Sequence, residues 1–72
     1  MAKHPLTPFG KDIKRRLVDL DRQQSWLIGE VHRRTGLYFD SSYLYKITVG
    51  RQMTPGIVAA ICETLDIQPP AP

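Results

Sequence analysis

The stretch Gln24–Gly50, QSWLIGEVHRRTGLYFDSSYLYKITVG, decides how this chain is read. Leu27, Ile28 and Val31 recur at helical spacing, and Gly36 stops that helix because glycine accepts positive φ without steric penalty. Asp40 then offers a carboxylate that can cap a new helix, with Ser41 and Ser42 in its first turn. In that helix Leu44 and Ile47 are three apart and point inward, and Gly50 ends it just after Thr48. Ser41, Ser42, Tyr45 and Lys46 are left outward or sideways, with Tyr43 at the border. Between the two helices lies an apolar bend, Leu37-Tyr38-Phe39, expected to fold over the large indole of Trp26.

Upstream, Thr7-Pro8 is a helix start: a hydroxyl cap, then proline where no N–H is required. Phe9, Ile13, Leu17 and Leu20 form one buried stripe, while Lys11, Lys14, Arg15 and Arg22 fall largely on the other side. Those cations read by default as a solvated face; for Lys14 and Arg15, contact with an anionic partner weighs about equally. Asp21-Arg22-Gln23 is the first turn. Downstream, Gly50–Met53 is a loop and Thr54-Pro55 repeats the cap-plus-proline start. Ile57, Val58, Ile61, Cys62 and Leu65 form the stripe of a last helix ending near Asp66, with Ile67 folding back on the core. The expected architecture is all-α: a compact bundle of four helices, or five short ones, over 8–67, with a flexible arm at 1–7 and a proline-rich tail at 68–72.

The bulk properties narrow the classes. A chain of 72 residues is one small domain with a modest core. Its 42% hydrophobic content is too high for a disordered chain. A net charge of +3 and a pI near 9.4 lean weakly towards an anionic partner. The lone Cys62 permits no intramolecular disulfide and suits a reducing cytosol. No apolar run reaches the roughly 20 residues of a membrane span, and the N-terminus lacks a signal-peptide core. The expected location is cytoplasmic.

Taken together, Gln24, Leu27-Ile28, Tyr43-Leu44, Ile47, Gly50 and the later Ile61-Cys62-x-x-Leu65-x-Ile67 resemble the helix-turn-helix domain of phage repressors and Cro proteins, the xenobiotic-response-element (XRE) family, with a lambda repressor-like fold. The resemblance spans roughly Phe9 to Ile67. It implies that Ser41, Ser42 and Lys46 face bases. It also implies that Gln24 binds a phosphate, that Tyr43 touches a phosphate or a thymine methyl, and that Gly50-Arg51-Gln52 meets the DNA backbone, partly through N–H groups. Tyr45 and Arg15 are placed with these backbone or border contacts. The second helix and bend are longer than in the ordinary helix-turn-helix, and Val49 stands where a polar, phosphate-binding side chain is common. Many relatives carry a fifth helix that joins two copies; none is expected after the fourth here, so dimerisation is not supported by the sequence, although operator recognition in the family usually uses two copies, as in a homodimer on a palindromic site.

The expectation is therefore a sequence-specific binder of double-stranded DNA, a transcriptional regulator and most simply a repressor of phage or mobile-element type. The alternative is a small helical protein-interaction module, such as an antitoxin-like partner or an antirepressor. Modest net charge, the acids Asp12, Asp19, Asp21, Glu30 and Asp40, and exposed Tyr38 and Tyr45 favour that reading slightly. An enzyme is a poor fit: Cys62 falls in an apolar stripe, His4 in the arm, and His32 has no nucleophile or second ligand at a useful spacing. No cofactor, metal, membrane or small-molecule substrate is implied.

Overall fold

The structure, a computed structural model, describes residues 5–70, and no strand occurs among them. Four helices follow one another: α1 (Pro8–Asp19), α2 (Gln24–Thr35), α3 (Ser41–Thr48) and α4 (Pro55–Leu65). None is long and apolar enough to cross a membrane. The chain is thus a small all-α bundle of four helices, and the five-helix variant does not occur in the described residues. The reading of the first four residues as part of an arm lies outside the described residues.

Each helix end has a local cause. The Thr7 hydroxyl accepts from the Gly10 N–H at 3.0 Å, as a cap ahead of Pro8 should. α1 closes on Asp21, a non-glycine residue at φ 55°, with the Asp21 N–H donating to the Val18 carbonyl and the Arg22 N–H to that of Leu17. This is a Schellman closure, in which an aspartate occupies the left-handed position usually given to glycine. Asp66, at φ 57°, closes α4 with its own N–H and that of Ile67 both donating to the Cys62 carbonyl, and Ile67 is half-buried against the core. Gly36, at φ 70°, ends α2.

The stripes read from the sequence converge on one core: Phe9, Ile13 and Leu17 from α1, Leu27 and Val31 from α2, Leu44 and Ile47 from α3, and Ile57, Val58, Ala60, Ile61 and Leu65 from α4, with Phe39 from the bend. α2 packs chiefly on α4, and α1 packs on both α3 and α4. Three expectations are corrected. Leu20 is 37% exposed, because the chain has already left the helix for the left-handed turn at Asp21. The cover found on Trp26 is the Arg22 guanidinium, 5.0 Å from its ring centroid, while Leu37 and Tyr38 of the bend expected to roof it are 47% and 74% exposed. Thr54 precedes Pro55 as expected, yet its hydroxyl does not cap α4; it is hydrogen-bonded to the Tyr43 hydroxyl instead.

A close joint lies between the first turn of α1 and the last turn of α3. The Thr7 N–H and hydroxyl both donate to the Thr48 carbonyl, at 3.0 and 3.1 Å, so Thr7 is fastened and not part of a loose arm. A Cβ on Gly10 would stand 2.1 Å from that same carbonyl oxygen. Alanine is favoured over glycine in a helix by about 0.5–1 kcal/mol, but a backbone oxygen at that distance cannot yield without separating the helices. Gly10→Ala is expected to destabilise the fold by about 1–3 kcal/mol, as overpacking does. Gly29→Ala in α2, where nothing lies within 4 Å of the added carbon, is expected to stabilise it slightly. Urea midpoints of the two variants moving in opposite directions is the check.

Candidate nucleic-acid interface

α3 is amphipathic by construction. Leu44, Ile47 and Thr48 are buried on one side, leaving Ser41, Ser42, Tyr45 and Lys46 exposed on the other. Ser42 and Lys46 are four apart and share a face, as do Ser41 and Tyr45. The first-turn N–H groups of Ser41 and Ser42 have no carbonyl within the helix to bond, so the positive end of the helix opens where the hydroxyls stand. Asp40 supplies the cap: its Oδ1 accepts from the Tyr43 N–H at 2.8 Å. Its Oδ2 accepts from the Tyr38 hydroxyl at 2.5 Å. Those two donors, with Lys46 nearby, hold the Asp40 carboxyl below its ordinary range.

The border residue Tyr43 faces inward more than the sequence implied. Its ring is tilted against Phe39, with centroids 5.2 Å apart, and its hydroxyl is engaged by Thr54. Tyr43 therefore ties α3 to the start of α4. The loop after α3 also departs from expectation. The Gly50 N–H donates to Ile47, and the N–H groups of Arg51 and Gln52 both donate to the Lys46 carbonyl, at 2.8 and 3.4 Å. Those backbone donors close the end of α3 and are not turned outward; the exposed side chains of Arg51 and Gln52 are what the loop offers a partner.

Gln24 is exposed at the first position of α2, which has no side-chain cap. Gln23, Gln24, Lys14 and Arg22 line one shallow depression together with Leu17 and Val18, bringing two cations to the open end of a helix. Arg15 faces Asp12 at 3.6 Å on the exposed side of α1. Arg33 and Arg34 are occupied by Glu30, and Arg34 also by Glu63, all on partly exposed side chains. One structural contact escaped the sequence reading: Arg16 donates from Nε to the Leu65 carbonyl at 2.7 Å, pinning α1 to the end of α4. A cation flanking the apolar stripe, beside Leu17, was the available signal.

Cys62 is half-buried on α4, where burial pushes its thiol up and Glu63 adds to the effect. Among the described residues no group of three or more His, Cys, Asp or Glu side chains is placed to hold a metal ion.

Compared with protein-family models, with curated proteins and with solved structures, the chain finds no match.

Because folding holds the Asp40 carboxyl below its unfolded value of about 3.9, its contribution to stability is complete above that value. It is lost as pH falls through the lower, folded one. The amide resonances of Ser41–Tyr43 are expected to stay fixed between neutral pH and about pH 5, then titrate with a midpoint below the ordinary aspartate value. Asp40→Asn should abolish the titration. A midpoint above about 4 in the parent chain would contradict the cap.

Proposed function

We propose that this protein binds double-stranded DNA in a sequence-selective way, with α3 as the reading element, and acts in the cytoplasm as a regulator of transcription, most simply a repressor. The observation that carries the reading is the exposed pair Ser41 and Ser42 at the capped tip of a helix whose opposite side is locked into the core. An α-helix with side chains is about 10–12 Å across, matching the roughly 12 Å width of the major groove. Short hydroxyls let the backbone approach base edges and can donate or accept, while Lys46, one turn on, reaches a guanine edge or a phosphate.

Affinity comes from elsewhere. Lys14 and Arg22 beside the open start of α2, Gln24 on that start, and the side chains of Arg51 and Gln52 beyond α3 neutralise or bond phosphates and release counterions. The likeness to the phage repressor and Cro helix-turn-helix domains supports the same assignment. In that family two copies meet on a palindromic site; for this chain a homodimer is part of the proposal, and palindromy in the selected sites is its test.

A second reading, a protein-interaction module of the antitoxin-like or antirepressor kind, is favoured by one observation. An apolar groove of about 520 Å³ runs along α4, lined by Met53, Pro55, Val58, Ala59, Cys62 and Pro69 among others. Retention on heparin that falls with salt separates the two, since an apolar groove gives no such dependence.

Selection of bound sites from random DNA supplies the sequence, and gel shifts with selected and scrambled duplexes at two salt concentrations test the roles. Replacing Ser42 with leucine is expected to cost about 1–3 kcal/mol against the preferred base. Arg51→Ala should weaken all sequences alike and flatten the salt slope by about one unit. An Arg51 variant with altered base preference and an unchanged slope would refute this division of labour.

A further inference from the structure

The bend between α2 and α3 is built to hold one particular atom. The Leu37 carbonyl is bonded by His32 Nδ1 at 2.9 Å, and because a carbonyl only accepts, that ring nitrogen carries the proton. The Leu37 N–H donates to the Thr35 hydroxyl at 3.1 Å. The Thr35 hydroxyl in turn donates to the Val31 carbonyl at 2.8 Å. The bend is thus fixed to the last turn of α2. Leu37 lies by Gly56 at the start of α4, Phe39 is buried against Tyr43, and Tyr38 is 74% exposed. A tyrosine that exposed gains almost nothing from burial. Its defined engagement is the hydroxyl donated to Asp40 Oδ2, on the carboxylate whose other oxygen caps α3.

We propose that Tyr38 is a positioning residue for base reading: through Asp40 it fixes the direction in which Ser41 and Ser42 leave the tip of α3. This rests on the DNA-binding reading above. With one hydrogen bond to the Tyr43 N–H, a carboxylate still rotates about its terminal torsion, which is broad by nature. A second bond to the other oxygen fixes its plane, and with it the first turn, the part of a helix most given to fraying. The hydroxyls that read bases sit in that turn, whereas the phosphate contacts do not. Loss of the Tyr38 hydroxyl therefore blurs discrimination between sequences before it weakens binding to DNA in general. The same bond pushes the Tyr38 hydroxyl's pKa up while helping to hold the Asp40 carboxyl's down, as a proton held between them requires. The length of the bend acquires a purpose: it carries a tyrosine from the end of α2 to the cap of α3.

Tyr38→Phe keeps the ring and removes the hydroxyl, so a direct contact between ring and DNA survives it and a positioning role does not. The test compares the parent chain, Tyr38→Phe, Asp40→Ala and the double variant for affinity to selected and scrambled duplexes at two salt concentrations. Amide exchange at Ser42 and Tyr43 is measured without DNA. Tyr38→Phe is expected to lower the selected-to-scrambled affinity ratio roughly two- to tenfold, the range of one hydrogen bond. Scrambled affinity and salt slope stay unchanged, exchange at Ser42 and Tyr43 accelerates, and the double variant is no worse than Asp40→Ala. A Tyr38→Phe chain with an unchanged ratio, or a loss that adds in full to that of Asp40→Ala, overturns the positioning role while DNA binding stands. A parent chain with no salt-dependent affinity for any duplex overturns both.

Discussion

The fold hangs on one carbonyl oxygen, that of Thr48. It receives the N–H and the hydroxyl of Thr7 and sits against the bare backbone of Gly10, so the last turn of α3 and the first turn of α1 touch with no side chain between them. Glycine is required there by distance and not by φ. With that joint made, α1 is committed to α3, and Arg16 commits the last turn of α1 to the end of α4 through the Leu65 carbonyl. α2 then packs on α4 and completes the core. α3 is held from behind and from one end, with its outer face unopposed.

The two ends of α3 are handled by opposite chemistry. At its start, a carboxylate draws one N–H from the helix and one hydroxyl from the bend, leaving the serine face open. At its end, Gly50, Arg51 and Gln52 turn their N–H groups back onto the last carbonyls. Backbone polar groups at a helix terminus must find partners, and here they find them within the chain. Gly50, Arg51 and Gln52 therefore do not present these N–H groups to a partner. This consequence of satisfying the helix end runs against what the family likeness implies.

Charge is distributed on the same logic. The cations of the last turn of α2 suit the negative end of that helix and are engaged by Glu30 and Glu63, so Arg33 and Arg34 serve the scaffold first. Exposed pairs of this kind contribute little to stability, but they fix where positive charge is already compensated. Lys14 and Arg22 gather instead at the uncapped start of α2, beside Gln24.

What the sequence by itself determined is local and periodic. The four apolar stripes, the Thr7-Pro8 start, the Gly36 stop and the Asp40 cap are all written in residues a few positions apart, and helix geometry converts such spacing directly into a face or an end. For that reason the bundle and the exposed serines were legible, and so was the span of α3. Tertiary structure decided what depends on residues far apart in the chain. Thr54 caps nothing because Tyr43 takes its hydroxyl, Arg22 lies over Trp26, and Gly10 matters because Thr48 lies against it. A hydrogen bond or close approach between such residues leaves no periodic trace in sequence, since its geometry exists only once the helices have packed.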